Sequence, residues 1–277
     1  KPPIYEPGLE GLLAASAPTF TTSYSALHDC GIVIIAVDTV TDEQNRSDLS
    51  GLEAHIEKAL PWVRADGVVV LMSQVPVGYT RKLLARLRAC RPDATTGLYY
   101  WVETLVIGEA VSRYRTPERI IIGGAAADPG AEPGLDALLA RFGCAVFRMD
   151  YESAELTKAA INFYLGASVT FANVLADLCE ATGASMRAML PALRSDRRIG
   201  PAAYIRPGLG IGGGNVERDL VHLGELADAH GVDSGMFRLI LDRSASRYEW
   251  LRQALERHVL GEAPRPRIAV WGLAYKK

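Results

Sequence analysis

A lysine and an asparagine one helical turn apart are well placed to act together on a ligand. Lys158 and Asn162 are four positions apart in a stretch whose apolar residues recur with helical spacing, so both side chains lie on one helix face. A cation and an amide in that arrangement suit two contacts to one substrate oxygen. A solvated lysine and a surface asparagine are the commoner outcome of this spacing, which by itself leaves both interpretations open.

A glycine-rich stretch at residues 208–214 is a candidate anion site. Five of its seven residues lack a side chain, so the backbone can approach a ligand closely. A helical pattern starts directly after it, and the N–H groups at a helix start attract anions together with the positive end of the dipole. A flexible connector between domains is the alternative, because a glycine pattern alone is a weak signal.

Two further candidates follow apolar, strand-like runs. The SQVPVG turn at residues 73–78 follows the run 67–72, and Glu103 follows the run 95–99. In open α/β sheets, ligands bind at the carboxyl ends of the strands, so both positions suit a binding site. An ordinary turn containing proline and glycine and a solvated loop glutamate are the structural alternatives.

The alternation of apolar runs and helical patterns predicts an α/β fold. Apolar, β-branched runs occur at residues 31–37, 67–72, 95–99 and 119–123, with helical patterns at 50–63 and 78–90. Because the runs are continuous rather than alternating, both faces of these strands should be covered. We therefore expect a doubly wound, Rossmann-like parallel sheet.

From about residue 150 the pattern changes to long helices. These cover residues 154–182, 185–193, 216–230 and 234–258, and a linker at 261–267 leads into a last strand-like run at 268–274. We expect a Rossmann-like domain at 1–150 whose N-terminal part would precede Lys1, an all-helical central domain at 151–260, and at 261–277 the linker and first strand of a third α/β domain.

Composition and charge narrow the classes of function. The 277 residues are 49% hydrophobic and 22% charged, and the formal net charge of −2 offers no basic surface for nucleic acid. The four cysteines and five histidines have no metal-ligand spacing, so we expect no metal. The uninterrupted apolar runs are too short to span a bilayer. We expect a cytoplasmic protein without a membrane segment that binds small molecules.

The order of these fragments resembles the UDP-glucose/GDP-mannose dehydrogenase family across nearly the whole chain. The similar segments are IYEPGL at 4–9, SQVPVG at 73–78, WVETL at 101–105, AELTKAAIN at 154–162, PGLGIGGGNVERD at 207–219 and IAVWGLAYK at 268–276. The resemblance implies NAD as cofactor and a nucleotide sugar as substrate. It also implies that the third domain is the one that binds the nucleotide.

The resemblance implies roles for individual residues. Lys158 and Asn162 would stabilise the oxyanion that develops on the substrate. Asp219 would support the water chemistry, and Glu103 would be the general base. The implied cofactor-binding residues are Thr39, Ser73, Gln74 and Val75, and the implied substrate-binding residues are Arg206, Gly208, Gly210, Gly212 and Lys276. The family's glycine fingerprint for NAD would precede Lys1.

The position of the family's catalytic cysteine falls on Asn215. The family oxidises the primary alcohol of a UDP- or GDP-sugar to a carboxylate with two NAD, holding the intermediate on that cysteine as a thiohemiacetal. An amide cannot add to an aldehyde as a thiolate does. The other departures from the family pattern are Gln74, Trp101, Val102, Glu217 and Arg218. Because Asn215 directly precedes a helical pattern, a structural role as helix N-cap is the alternative.

Two functions from different classes follow. The first is an NAD-dependent oxidoreductase for a nucleotide sugar or related phosphorylated alcohol, limited to a single or transient two-electron oxidation; retention of Glu103, Lys158, Asn162 and Asp219 favours it. The second is a non-catalytic nucleotide-sugar-binding relative or partner subunit, which the substitutions at Gln74, Asn215 and Arg218 favour. The four retained polar residues should converge in one pocket roofed by the 208–214 loop.

A homodimer is expected from the helical pattern at 154–182. Its apolar stripe is longer than one small domain needs, which favours pairing of two copies along this helix. The stripe consists of Ala160, Phe163, Ala167, Phe171, Val174 and Leu178.

Overall fold

The computed structural model describes residues 5–126, 132–212, 214–260 and 267–269. The chain divides into two compact units. The first contains the described residues of Lys1–Asp42 and Ser47–Lys158, and the second those of Glu43–Arg46 and Ala159–Tyr275. The expected linker and first strand of a third domain at 261–277 lie outside the described residues, apart from 267–269.

A five-stranded sheet organises the first unit. The strands in chain order are β1 (Ile32–Ile35), β2 (Val40–Thr41), β3 (Ser47–Asp48), β4 (Val68–Leu71), β5 (Gly97–Trp101), β6 (Arg119–Gly124) and β7 (Ala145–Asp150). The helices of this unit are α1 (Leu9–Ser16), α2 (Ser50–Ala59), α3 (Tyr79–Cys90), α4 (Ala110–Arg115) and α5 (Pro133–Ala140), with 3-10 turns at Tyr24–Asp29 and Leu60–Trp62. The spatial order in the sheet is β1-β4-β5-β6-β7, and β2 and β3 form a separate ribbon.

The sheet is mixed, whereas the sequence predicts a parallel one. The pairs β1–β4, β4–β5 and β6–β7 are parallel, but β5 and β6 are antiparallel, with Tyr100 opposite Gly123 and Trp101 opposite Ile122. A continuous apolar run indicates that both faces of a strand are buried and carries no information on its direction. The predicted Rossmann-like α/β class is confirmed, with this one antiparallel pair as the difference.

Strand β7 is missing from the sequence prediction because its pattern is weak. It is the last strand in the order of the sheet, and Ala145 and Phe147 on it are exposed. Arg148 and Asp150 interrupt what would otherwise be an apolar run. A strand at the edge of a sheet needs less apolar surface than a central one, so it gives a weaker signal.

Side chains of the central strands pack on both faces of the sheet. Val69 and Leu71 belong to one buried cluster, which includes residues of α2 and α3. Val68 and Val70 belong to a second buried cluster, which includes residues of α5. Since successive residues of a strand point to opposite faces, the predicted burial of both faces is confirmed.

The longest helix, α6 (Tyr151–Thr182), follows β7 directly, and the division between the two units falls within it. Among the described residues it is the one helix long and apolar enough, by length and composition alone, to cross a membrane. The sequence prediction considered only uninterrupted apolar runs, and polar residues interrupt this one. The expected absence of a membrane segment stays a prediction.

The described part of the second unit is helical. Beside the rest of α6 it contains α7 (Met186–Ser195), α8 (Asn215–Ala229), α9 (Gly235–Leu255) and a π-helical turn at Glu256–Leu260. Gly166 of α6 permits close packing, because a Cβ there would lie 3.3 Å from Val216 Cγ1 and 3.4 Å from Ile240 Cγ2. These helices match the predicted ones apart from a few residues at their ends.

Replacing Gly123 of β6 by alanine should destabilise the first unit. A Cβ at this position would lie 2.8 Å from Ala154 Cβ and 3.2 Å from Tyr151 Cα, so β6 or the start of α6 must shift. We expect the free energy of unfolding to fall by about 1–3 kcal/mol, as for other overpacked sites, in a urea titration followed by circular dichroism.

The matched control is Gly51→Ala in α2, where a Cβ would have no atom of the described residues within 4 Å. This change should be neutral or slightly stabilising, because alanine favours a helix over glycine. Equal stabilities of the two variants would contradict the close approach of β6 and α6.

Candidate functional site

The loop that follows β5 carries Glu103 and receives Lys158. The Nζ atom of Lys158 donates a hydrogen bond to the backbone carbonyl oxygen of Glu103 at 2.7 Å. The amide of Leu105 donates to the Glu103 carboxylate, so this carboxylate is held within its own loop. The structure therefore brings Lys158 to Glu103, and the contact uses the backbone of Glu103 rather than its carboxylate.

The same loop is anchored from the beginning of the chain by Glu6. This buried carboxylate accepts hydrogen bonds from the amides of Gly108 at 2.8 Å and Val111 at 3.4 Å. Lys158 and Glu6 thus hold the two ends of residues 103–108. Sequence reasoning gave Glu6 no role, because its partners lie 102 and 105 positions away and no local pattern indicates such a contact.

A cleft of about 280 Å³ lies beside Glu103 in the first unit. The rings of Trp101, Tyr114 and Phe142 form its apolar wall, with centroid distances of 5.4–6.3 Å. The charged residues that line the cleft include two ion pairs, Arg113–Glu109 and Arg119–Glu118. Its volume is close to the lower limit for small-molecule sites.

The predicted cofactor residues lie together where β1 and β4 end. The Thr39 hydroxyl donates to the Gln74 carbonyl oxygen at 2.7 Å, and the Ser73 amide donates to the Ile35 carbonyl oxygen at 3.2 Å. Thr39, Ser73 and Val75 are buried. Two adjacent parallel strands end here, which fits one side of a dinucleotide site, and the side chains fix the backbone that would meet the ligand.

A buried glutamate of α6 anchors the end of this turn. Glu155, 2% exposed, accepts hydrogen bonds from the Gly78 amide at 2.5 Å, the Thr80 amide at 2.8 Å and the Thr80 hydroxyl at 2.6 Å. Burial raises the pKa of the Glu155 carboxyl, although the three hydrogen bonds that it accepts lower this pKa. The carboxylate also lies at the first turn of α3, where the helix dipole favours negative charge. Sequence reasoning noted Glu155 within a motif and missed this contact.

In the second unit, Asn162 and Asp219 form a buried pair. The Asn162 Nδ2 atom donates to Asp219 Oδ2 at 2.6 Å, and both side chains are under 10% exposed. A buried amide and carboxylate are costly unless they are paired, so this contact fixes both groups. The structure therefore brings together two more of the predicted catalytic residues.

Asn215 is the first residue of α8, and the alternative of a helix N-cap is wrong. Gly214, with a positive φ of 77°, is the N-cap, and no side chain caps this helix. The Asn215 side chain is otherwise engaged, since its Oδ1 atom accepts a hydrogen bond from Arg218 Nη2 at 3.2 Å. Asn215 itself is exposed and Arg218 is buried.

His222 lies one helical turn beyond Asp219 on α8. Burial lowers the pKa of its imidazole, although the charges of Asp219 and Glu225 raise it. Glu225 in turn pairs with Arg46 at 3.0 Å. Burial and the two carboxylates therefore act in opposite directions on the imidazole of His222, which sequence reasoning treated as an ordinary helical histidine.

The predicted substrate-binding residues are described only in part. Arg206, Gly208 and Gly212 are exposed and Gly210 is partly buried with a φ of 98°. Lys276, like Gly213 of the glycine-rich loop, lies outside the described residues. Within 5–126, 132–212, 214–260 and 267–269, no group of three or more His, Cys, Asp or Glu side chains could hold a metal ion.

The polar residues form one pair in each unit. Lys158 contacts Glu103 in the first, and Asn162 contacts Asp219 in the second, while Lys158 and Asn162 are one turn apart on α6. The expectation that all four converge in one pocket under the 208–214 loop stays a prediction.

These features define a class of protein in which a Rossmann-like domain is followed by a helical domain. Residues 1–155 match the NAD binding domain of the UDP-glucose/GDP-mannose dehydrogenase family, and residues 152–244 match its central domain. The chain belongs to this family. The predicted family, its Rossmann-like NAD-binding domain and NAD as its cofactor are confirmed.

Individual relatives agree with this assignment. The chain is 35% identical over 287 aligned residues to the UDP-glucose 6-dehydrogenase of Pseudomonas aeruginosa, covering 99% of this chain and 62% of the relative. It is 29% identical to the UDP-glucose 6-dehydrogenase YwqF of Bacillus subtilis, covering 99% and 63%. The solved UDP-glucose dehydrogenase of Pyrobaculum islandicum superimposes with a TM-score of 0.82 at 29% identity, covering 94% and 62%. The chain spans somewhat under two thirds of these relatives.

Replacing Glu155 by glutamine should weaken the fold and loosen the 73–78 turn. All the partners of this carboxylate are donors, so the NH₂ group of a glutamine would face another donor. We expect the free energy of unfolding to fall by about 1–3 kcal/mol, the cost of an unsatisfied buried group, in a urea titration at neutral pH.

The control is Glu152→Gln, which also removes a carboxylate near the start of α6. Glu152 pairs with Arg81 at 2.7 Å, but both side chains are more than 40% exposed. Such pairs contribute about 0–1 kcal/mol. If the two variants lose equal stability, Glu155 has no special anchoring role.

Proposed function

We propose that this chain forms part of an NAD-dependent oxidoreductase that oxidises an alcohol of a nucleotide sugar or a related phosphorylated alcohol. The observation that carries the proposal is the pairing of the four polar residues, Lys158 with Glu103 and Asn162 with Asp219. Each contact spans more than 50 positions in the sequence. Asn162 and Asp219 are buried, and Lys158 and Glu103 are partly buried, so these contacts hold all four polar groups in fixed positions.

The substrate class is proposed from the relatives. The Pseudomonas aeruginosa and Bacillus subtilis proteins are named UDP-glucose 6-dehydrogenases, which makes UDP-glucose the first substrate to test. The glycine-rich loop before α8 supports a ligand with a diphosphate, because a helix of 15 residues starts directly after it and helix N-termini bind anions.

The chemistry proposed for Lys158 and Asn162 is stabilisation of the substrate oxygen. As a proton leaves an alcohol and a hydride leaves its carbon, negative charge develops on the oxygen. An ammonium and an amide N–H directed at that oxygen lower the barrier, and one well-placed donor is worth about 3 kcal/mol. NAD supplies the hydride acceptor when bound.

Glu103 is proposed as the general base and Asp219 as the residue that supports Asn162. Glu103 would take the alcohol proton, which requires its carboxylate to leave the Leu105 amide for the substrate. Asp219 accepts a hydrogen bond from one of the two N–H groups of the Asn162 amide. This contact sets the plane of the amide before the substrate binds.

Asn215 is proposed to limit the reaction to one oxidation. It follows the glycine-rich loop where the family resemblance expects a cysteine, and its Oδ1 atom accepts from Arg218. An amide oxygen held in this way is not a nucleophile for an aldehyde. Without a covalent adduct the aldehyde lacks the proximity advantage that would promote a second hydride transfer.

A non-catalytic partner subunit is the second candidate function. The Asn215–Arg218 hydrogen bond supports it, because this polar contact lies at the position where the family resemblance expects the thiol. In this alternative the chain would bind a nucleotide sugar or an active subunit and would not reduce NAD.

We further propose a homodimer built on α6. Tyr164, Phe171, Val174 and Leu178 recur along one side of this helix and are 40–62% exposed. Phe163, part of the stripe expected from the sequence, is instead used within the second unit, where its ring lies 4.7 Å from that of Phe237. Exposed apolar side chains at helical spacing support pairing with a second copy.

The compartment is proposed to be the cytoplasm. The four cysteines are all unpaired, as in proteins of reducing compartments. By length and composition alone, α6 could also cross a membrane. The dimer experiment therefore also measures how much of the protein is in the soluble fraction and how much is in the membrane fraction.

Oxidation of UDP-glucose by the full-length protein should yield at most one NADH per sugar and an aldehyde rather than a carboxylate. Absorbance at the NADH maximum gives the first quantity and mass spectrometry of the product gives the second. Two NADH per sugar together with a uronic acid would contradict the proposed role of Asn215. Absence of any NADH with nucleotide sugars, while one of them binds, would favour the partner-subunit function.

Variants at position 215 make this test sharper. Asn215→Cys restores a thiol and should raise the NADH yield above one per sugar, whereas Asn215→Ser removes the same amide without adding a comparable nucleophile and should not. If both substitutions change the NADH yield equally, the role of Asn215 depends on its contact with Arg218 and not on the absence of a nucleophile.

Phe171→Glu should convert a dimer into a monomer. A charge in the centre of the exposed stripe would be desolvated without a partner, so light scattering at micromolar concentration should show the mass fall by half. Leu239→Glu is the control, because Leu239 on α9 is 52% exposed and lies outside the stripe. A monomeric wild-type protein would contradict the proposed dimer, and recovery of the protein only from membranes would contradict the proposed compartment.

A further inference from the structure

The first glycine of the glycine-rich loop is held by two side chains. The Gly208 amide donates to Asn173 Oδ1 at 2.8 Å, and the Gly208 carbonyl oxygen accepts from Arg247 Nε at 3.1 Å. Asn173 is on α6 and Arg247 is on α9. Both backbone polar groups of one loop residue are therefore fixed by side chains of helices that are distant in sequence.

The Arg247 side chain is fixed by contacts with Asp177 and Trp250. Its side chain is 6% exposed, its Nη1 atom lies 2.6 Å from Asp177 Oδ1, and its guanidinium lies 4.4 Å from the centroid of the Trp250 ring. A buried guanidinium is costly unless its donors are satisfied. Asp177, one turn after Asn173 on α6, provides the opposite charge, so the fork of Arg247 has one arm on Asp177 and one on the loop.

A second contact holds the middle of the glycine-rich loop against α9. The Ile211 amide donates to Ser244 Oγ at 2.8 Å. Gly210 adopts a φ of 98°, which favours glycine, and a Cβ there would lie 2.8 Å from Ser244 Oγ and 3.0 Å from the Ser244 carbonyl oxygen. Ser244 and Arg247 are three residues apart on one helix face, so α9 holds the loop at two points.

An arginine that served only to join α6 and α9 would need no contact with the loop. The ion pair of Arg247 with Asp177 already joins α9 to α6, and its contact with Trp250 lies within α9, yet Arg247 directs a further donor at Gly208. A chain segment this rich in glycine loses much conformational entropy on ordering. Contacts that order it in advance reduce what a ligand must supply.

We propose that Arg247, held by Asp177, is a positioning residue that orders the glycine-rich loop for the nucleotide-sugar substrate, together with Asn173 and Ser244. The part concerning the substrate rests on the function proposed above. Arg247 acts through the backbone of Gly208 and does not itself contact the substrate.

The experiment compares Arg247→Met and Arg247→Lys with Arg238→Met in the full-length protein. Arg238 is also on α9 and pairs with Asp228 at 3.4 Å, with both side chains about 60% exposed, and this ion pair does not involve the loop. Hydrogen exchange measured by mass spectrometry on a peptide covering residues 206–212 reports loop order without any ligand. Binding of UDP-glucose and the kcat and KM of NADH formation report its consequence.

Arg247→Met should accelerate exchange in this peptide by about tenfold, which corresponds to one ordinary hydrogen bond. It should raise the Kd and KM for UDP-glucose several-fold and change kcat less. Arg247→Lys keeps the charge beside Asp177 but lacks the planar fork, so its values should be intermediate. Arg238→Met should match the wild type in all three measurements.

Ser244→Ala is the second variant, in case Arg247→Met fails to fold. It removes one small hydroxyl and should accelerate exchange in the same peptide while the exchange of α7 and α8 stays unchanged. Unaltered loop exchange in Arg247→Lys and Ser244→Ala would overturn the positioning role. Faster loop exchange with unchanged UDP-glucose affinity would overturn its connection to substrate.

The experiment distinguishes failure of the proposed function from failure of the positioning role of Arg247. If the wild-type protein binds neither UDP-glucose nor another nucleotide sugar, the substrate assignment falls, whatever the loop does. If the wild type binds UDP-glucose and the loop exchanges equally in all variants, the proposed function stands and the positioning role falls.

Discussion

The polar side chains of α6 are spaced by the helix itself, and each one fixes a different segment of the chain. These residues are Glu155, Lys158, Asn162, Asn173 and Asp177, and their partners are the 73–78 turn, the loop after β5, Asp219 on α8, Gly208 and Arg247 on α9. Glu155 and Lys158 belong to the first unit, and Asn162, Asn173 and Asp177 belong to the second. Since a helix cannot stretch, the positions of these anchors along it are set by sequence spacing alone.

Two of these anchors, Glu155 and Asn162, are costly to change because they are buried. Loss of Glu155 would leave the Gly78 and Thr80 donors without the carboxylate that accepts from them, and loss of Asn162 would remove one hydrogen bond from the buried Asp219 carboxylate. An unsatisfied buried group costs more than the hydrogen bond contributes. The helix is therefore constrained at its polar positions, while its exposed apolar positions remain available for an interface.

The sequence predicts the elements that repeat locally and misses the contacts between distant residues. Strands such as β4 are predicted because a continuous apolar run marks burial on both faces, and α6 is predicted because its apolar residues recur with helical spacing. Lys158 and Asn162 are found because they share that spacing. The antiparallel pairing of β5 and β6 is missed because burial carries no information on strand direction.

The anchoring residues were missed for the same physical reason. Glu6, Glu155 and Arg247 are ordinary charged residues in the sequence, and their partners lie 39–105 positions away. A buried charge shows its role only through the donor or acceptor that the fold brings to it. The N-cap prediction for Asn215 is wrong for another reason. The start of a helix is uncertain by about a residue, and in the structure Gly214 takes the cap position.

The contact of Asn215 with Arg218 bears on how an oxidoreductase could work without a thiol at this position. Arg218 is buried and Asn215 is exposed, so the hydrogen bond between them connects the start of α8 to the guanidinium one turn further on. A thiol at position 215 is a weaker acceptor for Arg218 than an amide oxygen, and a nearby guanidinium lowers the pKa of a thiol. An amide converts the same neighbour into a structural partner. Restoring the thiol therefore changes two things at once, a nucleophile and the environment of Arg218. Asn215→Ser separates them, because a serine also lacks the amide but is a much weaker nucleophile than a thiolate.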